Sequence, residues 1–547
     1  MPADAGSQPM HAAIAAGLRQ LSIPVLFGLT GSGNLFIAES FSGRCGGTFV
    51  RSAHEAGAVQ MAQGYAKATG HLAAATVSMG PGVTNTLTGL VEGVRGRTPV
   101  LVVATDTPAE EKYHWQGVEQ RGLVESTGAG FEPVRSARTA LRDLAWAAQR
   151  AVVQSRPVLL NVPRDLLHEP VQATFQPASY PLRQPVRPAP AALEDLLAVV
   201  ASARRPVVLA GRGALGAEAE LIALAERIGA PLATTLKAKG LFRGSIHNIG
   251  IFGTLATDRA GELIARSDCI LAFGASLNYR TTVGGDLLQG KRTVHCDIDP
   301  AAIGATGPVD VGVVGDCAQV ASELRALCDL ADVRASAFQD LAVVPAPAAT
   351  AVPTPMDPDR ELDATAVMSF LNEAVPGDRL VVTDGGNFSL AAWRHLDVAT
   401  PTRFLTTTDF GAIGSGMGNA IGASWSAPEL PVVLVVGDGG FTLGGLVEFN
   451  TAVRYDVDLI TVVCNNGTYG PEYRELVHRG LDPRLSMFEW PDFASVAGAL
   501  GGTGVTVRTS RDLEAAAKAI ADRDRPLLID VHLDPAADDS AMAVSAV

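Results

Sequence analysis

The strongest chemical signal in the chain is a pair of short polar clusters, Gly437-Asp438-Gly439-Gly440-Phe441 and Asn465-Asn466, with 25 residues between Gly439 and Asn465. Each ends a β-branched run, residues 431–437 (PVVLVVG) and 458–464 (DLITVVC). Asp and Asn side chains offer hard oxygen ligands of the kind Mg²⁺ or Ca²⁺ takes. The glycines let backbone amides approach a phosphate, and a helix N-terminus beyond them favours negative charge. Either cluster alone reads as an ordinary turn. Both together, each at a strand end, read as a metal and phosphate site. A second signal is Glu55 in His54-Glu55-Ala56-Gly57-Ala58. It follows the run 48–52 and opens a helix with Ala58, Ala62, Tyr65 and Ala66 as its apolar stripe and Gly70 as its cap. Taken alone, Glu55 is a carboxylate favoured by the helix dipole. A third is the glycine-rich 410–418 (FGAIGSGMG), which by itself reads as close packing before a helix.

Short apolar runs alternate with Ala-rich amphipathic stretches throughout, and these must position the polar clusters. The runs are 24–28, 74–78, 99–104 and 157–162, then 206–211, 231–235, 269–274 and 293–297, then 380–383, 431–437, 458–464 and 526–531. Continuously apolar strands are buried on both faces, which predicts parallel sheets covered by helices. Ligands of such sheets bind beyond the carboxyl ends of the strands. Pro-rich stretches at 177–190 and within 336–358 read as linkers. The expectation is three doubly wound α/β domains, at 1–176, 191–335 and 359–547.

With 547 residues and 47% hydrophobic content, several cores can be built. The net charge of −14 argues against a nucleic-acid or anionic-membrane partner, but amides and a metal can bind phosphate without net positive charge. The six cysteines form no CxxC pair, no signal peptide is read at the N-terminus, and no apolar run reaches the length of a membrane span. A cytoplasmic protein is expected.

On these motifs the chain resembles the thiamine diphosphate (ThDP) enzymes, whose signature is GDG followed some 25–30 residues later by NN, and within them the acetolactate synthase-like branch. The resemblance runs from about residue 12 to 533. It implies that Asp438, Asn466 and the Thr468 carbonyl hold Mg²⁺, which bridges to the cofactor diphosphate. Gly437, Gly439, Gly440 and Tyr469 would border that end, as would Gly386 and Asn387 in the DGGNF segment after run 380–383. HEAGAVQMAQGYAKATG is similar to the family's catalytic-glutamate segment, so Glu55 would hydrogen-bond the aminopyrimidine ring and act as general acid/base through the cofactor. Ile413 takes the place of the apolar wedge that bends the cofactor, and Gly411 would offer a carbonyl to the 4′-amine. The loop after GDGGF, at 443–447, is one residue longer than usual.

In the first block, Thr30 and Gly31 after run 24–28, and Gly80, Pro81 and Asn85 after run 74–78, correspond to loops that the family sets beside the reacting carbons. Gln116 matches the active-site glutamine of acetolactate synthases, with His114 as its neighbour. Because Glu55 and the metal residues lie in different domains, the resemblance implies a homodimer or homotetramer with active sites at subunit interfaces. The implied reaction decarboxylates a 2-oxo acid and passes the acyl carbanion to an aldehyde, ketone or proton. An acyloin lyase or C–C hydrolase without decarboxylation stays open. Glu475 stands where acetolactate synthases carry a substrate-selecting Trp, and a carboxylate there would disfavour a second 2-oxo acid as acceptor.

The middle block contains Gly211-Arg212-Gly213-Ala214-Leu215-Gly216 after run 206–211, so a dinucleotide site and an NAD or FAD oxidoreductase form the alternative of another class. The acid expected after the next strand is missing. FAD is the middle-domain ligand of acetolactate synthases, and Asp297-Ile298-Asp299-Pro300 with Arg280 resembles that arrangement. The segment after Gly250 departs from it. A domain without flavin is expected, with bound FAD as the alternative.

Overall fold

The twelve apolar runs become the four inner strands of each of three six-stranded parallel sheets. The computed structural model describes residues 7–108, 110–172, 185–342, 362–524 and 526–535. Of the two Pro-rich linkers, 177–184 and 343–358 lie outside the described residues.

In the first domain β1 (Ser7–Pro9) pairs antiparallel with β8 (Pro170–Gln172) as a small ribbon. Between them come β2 (Val25–Gly28), β3 (Thr48–Arg51), β4 (Ala73–Val77), β5 (Val100–Asp106), β6 (Gly130–Pro133) and β7 (Val158–Pro163). Their order is β3-β2-β4-β5-β7-β6. The middle sheet is built from β9 (Pro206–Ala210), β10 (Leu232–Thr234), β11 (Asn248–Ile251), β12 (Cys269–Phe273), β13 (Arg292–Asp297) and β14 (Val311–Val314), in the order β11-β10-β9-β12-β13-β14. The third sheet has β15 (Leu380–Thr383), β16 (Phe404–Thr406), β17 (Val432–Gly437), β18 (Leu459–Asn465), β19 (Thr503–Val507) and β20 (Leu527–His532), in the order β16-β15-β17-β18-β20-β19.

The first and third sheets share one topology, whereas the middle sheet has the 3-2-1-4-5-6 order of dinucleotide-binding folds. In the outer two sheets the strand order reverses between β2 and β4 and between β15 and β17. These switch points are where such sheets bind ligands.

The first and third sheets belong to one compact unit and the middle sheet to a second. In the first unit the helix Glu55–Thr69 packs along the helix Gly416–Ser424. Glycines allow backbones to meet here. A Cβ on Gly64 would overlap the Asn419 carbonyl oxygen, one on Gly422 would overlap the Met61 carbonyl oxygen, and one on Gly418 would press on Gln60. A continuous apolar core that includes Val59, Met61, Ala62, Ile421 and Leu434 links the two sheets across this seam. The middle unit has separate cores on the two faces of its sheet, one around Val208, Leu271 and Phe242, the other around Val207, Ile270 and Phe252. Among the described residues no helix is long and apolar enough to cross a membrane.

The segment after GDGGF, expected as a lengthened loop, lies inside a helix. Asp438–Gly440 is helical, Phe441–Gly445 forms one π-helical turn, and Leu446–Arg454 continues as α-helix. An i→i+5 turn takes up an additional residue without breaking the rod.

Adding a methyl group at the seam tests this reading. Gly64→Ala and Gly422→Ala are each expected to destabilise the protein by about 2–3 kcal/mol through overpacking against backbone that cannot yield. Urea denaturation of the two variants measures this, and losses no larger than those at the open Gly261, where a Cβ meets nothing, would contradict it.

Candidate active site

The chemistry-bearing residues of the third sheet collect at the carboxyl ends of three adjacent strands. The β17–β18 register pairs Gly437 with Cys464, which sets Asp438 level with Asn465. Asp438 is 3% exposed. Its Oδ1 accepts from the Gly439 N–H (2.7 Å) and its Oδ2 from the Gly467 N–H (2.7 Å). Burial raises its pKa, against the pull of those N–H groups. Gly467 has φ 64°, a left-handed turn that returns the chain so that its amide reaches Asp438. The Asn466 Oδ1 accepts from the Thr468 N–H (3.0 Å) and hydroxyl (2.9 Å). Asn465, the other member of the pair, points into the core, where its Nδ2 donates to the buried Asp530 (3.0 Å). A cavity of about 250 Å³ lies beside this segment, lined by residues that include Asn466, Phe488, Trp490 and His532.

Neighbouring loops close on the same spot. The Tyr469 ring lies against Gly439, and the Asn387 side chain against Gly470. Ile413 sits over Gly385, at 3.4 Å from where its Cβ would be. Gly386 lies under the Phe388 ring. Gly411 is exposed with φ 86°.

Asp384, which the sequence reading left without a role, ties these loops together. It is fully buried, and its Oδ2 accepts from Gly414 N–H (2.8 Å) and Gly416 N–H (3.2 Å). Its Oδ1 accepts from Gly385 N–H (2.8 Å) and the Thr407 hydroxyl (3.1 Å). Burial is the main influence on its carboxyl and raises the pKa. Two residues of the first domain secure the segment before Gly411. Glu92, 1% exposed, accepts from the Asp409 N–H (3.1 Å) and the Phe410 N–H (2.6 Å). Lys67 donates to the Thr406 carbonyl (2.9 Å) and lies 3.6 Å from Glu92 and 3.7 Å from Asp409. Sequence reading missed both because their partners are more than 300 residues away.

The first sheet carries the second group. Glu55 is the first residue of its helix, and the His54 Nδ1 caps that helix by accepting from the Ala56 N–H. Asn85 donates to Glu55 Oε2 (3.0 Å). Gly80, at φ 60°, leaves room for the Gln116 carbonyl, which a Cβ would strike. Its N–H donates to Gln120 (2.9 Å), a buried residue that also bonds Thr105 and Asn161 and was not foreseen. Gly31 donates to the Asn34 side chain (2.8 Å) and leans on Ser78, while Thr30 and Pro81 are exposed. His114 accepts from the Gln116 N–H (3.1 Å) and stacks on the exposed Trp115. Thus Glu55, Asn85, Pro81, Gly80 and Gln116 form one contiguous group at the strand ends. Within the chain no direct hydrogen bond joins Glu55 or Asn85 to Asp438 or Asn466 among the described residues. Glu475 projects from the helix Gly470–His478, exposed and ion-paired with Arg479.

This donor set fits a diphosphate held by a divalent cation. Among the described residues no group of three His, Cys, Asp or Glu is poised around a metal. A cation at Asp438 would therefore have one protein carboxylate, with an amide oxygen from Asn466, the Thr468 carbonyl and ligand phosphate oxygens as hard partners.

The middle-domain glycines are occupied differently. Gly211 N–H donates to the Phe273 carbonyl (2.8 Å) and Gly213 N–H to the Gly274 carbonyl (2.9 Å). A side chain on Gly211, Gly213 or Gly274 would collide with the backbone opposite. The helix that follows begins with Glu218 and carries Glu220 in its first turn, and two carboxylates there oppose an anion. Asp297 caps its own loop by accepting from the Asp299 N–H (2.9 Å).

Comparisons with known proteins match all three sheets' segments to one enzyme family. Residues 10–126 match the thiamine pyrophosphate enzyme N-terminal TPP binding domain, 193–324 the central domain, and 384–531 the C-terminal TPP binding domain. The chain is 30% identical to the sulfoacetaldehyde acetyltransferase of Rhodobacter capsulatus, over 92% of this chain and 90% of the relative. It is 24% identical to the acetolactate synthase large subunit of Haemophilus influenzae, over 95% and 94%. It is 26% identical to the acetolactate synthase isozyme 3 large subunit of Escherichia coli, over 93% and 92%.

The buried Asp384 gives a pH test. A carboxyl whose folded pKa is raised binds its proton more tightly in the native state, so its stabilisation is present at low pH and is lost as pH rises through the folded pKa. Asp384→Asn removes that titration and places an NH₂ against N–H donors. The variant should be less stable than the parent near the ordinary carboxyl pKa of about 3.9, with the gap narrowing as pH rises from there. Denaturant unfolding of both proteins across a pH series measures it. A gap that widens with pH would refute the assignment.

Proposed function

Because the chain belongs to the thiamine pyrophosphate (ThDP) enzyme family, in its acetolactate synthase-like branch, we propose that this carboligase/decarboxylase cleaves a 2-oxo acid and passes the acyl carbanion to an aldehyde, ketone or proton. The observation that carries the proposal is the convergence of Asp438, Asn466 and Thr468 at neighbouring strand ends, facing loops closed by Asp384. When bound, ThDP supplies the electron sink that stabilises the carbanion left by C–C cleavage.

The protein's part is binding, orientation and proton control. Asp438, Asn466 and the Thr468 carbonyl would hold Mg²⁺. Gly386, Asn387, Gly437, Gly439, Gly440 and Tyr469 would border the diphosphate, where the glycines let the backbone approach phosphate oxygens. Gly411 and Ile413 would position the bent cofactor. Glu55, with Gly80, Pro81 and Asn85, would meet the pyrimidine, and its carboxyl would hold the proton exchanged with that ring. Thr30, Gly31, His114 and Gln116 would line the substrate side.

Since Glu55 and Asp438 form separate groups within the chain, the proposal includes a cytoplasmic homodimer or homotetramer in which one subunit's Glu55 serves its neighbour's metal end. Relatives bearing two different reaction names have comparable identity, so the donor and acceptor are argued from the site alone. The compensation of Glu475 by Arg479 weakens the argument that its charge selects the acceptor. The glycines of the middle sheet are used in backbone packing, which supports a structural role there over an NAD or FAD site.

Apo protein incubated with ThDP, Mg²⁺ and a panel of 2-oxo acids and aldehydes should release CO₂ and form acyloins only when both cofactors are present. Acyloin cleavage without CO₂ would move the reading to a lyase, and cofactor-independent turnover would sink it. Glu55→Gln should slow C2–H/D exchange of bound ThDP by about 10²–10⁴-fold. Asp438→Ala should abolish Mg²⁺-dependent ThDP binding in titration calorimetry.

A further inference from the structure

The segment that delivers Glu55 is held in place by the third domain. Glu448 lies on the helix Leu446–Arg454 and is 2% exposed. Its Oε1 accepts from the N–H groups of Ala53 (3.1 Å) and His54 (3.1 Å). Its Oε2 accepts from Ala53 N–H (3.1 Å) and the Thr451 hydroxyl (2.7 Å). Two neighbours on the same stretch extend the clamp. Arg454 donates to the Arg51 carbonyl (2.9 Å), and the Tyr455 hydroxyl accepts from the Arg51 N–H (2.7 Å). Gly57, two residues past Glu55, makes the approach feasible, since a Cβ there would overlap Glu448 Oε1.

The need for such a clamp follows from topology. β3 is an edge strand, so the chain beyond it has no further strand on its outer side to take its N–H groups. The cap at His54 serves only the Ala56 N–H. A buried carboxylate contributed from 394 residues away closes the account for Ala53 and His54. The helix that carries it is continuous, through the π-turn, with Asp438.

We propose that Glu448 is a positioning residue that fixes the bearing of Glu55 by clamping the two amides before it, with Arg454 and Tyr455 as auxiliary contacts. The inference rests on the reading of Glu55 as the group that meets the cofactor pyrimidine. A misplacement of about 1 Å at such a group can cost about 10²-fold in rate. A merely structural Glu448 would instead lower the folded fraction and leave the chemistry of folded molecules unchanged.

The test uses the full chain, first as apo protein and then with ThDP and Mg²⁺. In apo Glu448→Ala, amide hydrogen exchange at residues 53–57 should accelerate at least about tenfold, with residues 416–424 unaffected. In the loaded variant, C2–H/D exchange of ThDP should fall about 30-fold or more, while its affinity for ThDP and Mg²⁺ stays within about threefold, because Asp438 and Asn466 are untouched. Glu448→Gln keeps one acceptor oxygen for the Ala53 and His54 amides and should recover most of the exchange rate. Should Glu448→Ala fail to fold, Tyr455→Phe removes the acceptor for Arg51 N–H together with the hydroxyl that donates to the Phe49 carbonyl (3.3 Å), and should slow C2–H/D exchange about threefold. Unchanged exchange in the folded Glu448 variants, or in Tyr455→Phe where they do not fold, overturns the proposal. Glu55→Gln run alongside separates the two ideas. A slow Glu55→Gln with normal Glu448 variants defeats the clamp alone, and a normal Glu55→Gln defeats the reading of Glu55 and the clamp with it.

Discussion

Two helices that meet backbone to backbone govern this structure. The helix Glu55–Thr69 and the helix Gly416–Ser424 approach so closely that Gly64 and Gly422 face carbonyl oxygens. This contact sets the spacing of the first and third sheets in their shared unit. It also couples the two chemical groups, because Glu55 begins one helix and the loop of Gly411 and Ile413 leads into the other. Anything that moved the seam would move both.

Buried carboxylates finish what the seam begins. Asp384, Glu92, Asp438 and Glu448 are each nearly inaccessible to solvent and each accepts N–H groups from a loop that no β-ladder satisfies. A loop at a strand end has donors without partners, and an ionised or neutral carboxyl can take several at once. Burial raises the pKa of Asp384, Asp438 and Glu448, and the N–H groups act in the opposite sense. Local strand-end geometry and longer-range clamps are thus separate layers of the same site.

The inner and edge strands differ in how readable they were, for a physical reason. β2, β4, β5 and β7, then β9, β10, β12 and β13, then β15, β17, β18 and β20 are the four central strands of each sheet, and each came from an apolar run. β6, β11, β14, β16 and β19 gave no such run, and β3 was noted only as the run leading to Glu55. The half-exposed, Thr-containing β19 shows why, since an edge strand needs no second apolar face. β16 is buried and three residues long, as β10 is, but no apolar run is read at its position. The GxGxxG of the middle domain is the opposite case, a motif whose strand-to-helix context is present but whose first two glycine amides already donate to the Phe273 and Gly274 carbonyls.

The sequence by itself determined the class of fold, the strand ends that carry Asp438, Asn466 and Glu55, and the family they resemble, because apolar periodicity and short motifs are local properties of the chain. Only the tertiary structure decided what holds those residues still. Asp384 acts on amides some 30 residues away, Glu92 on amides more than 300 away, and Glu448 on amides nearly 400 away. Such partners share no local spacing. They meet because two sheets are locked across a glycine seam, and a buried acid becomes meaningful only once folding has chosen which donors surround it.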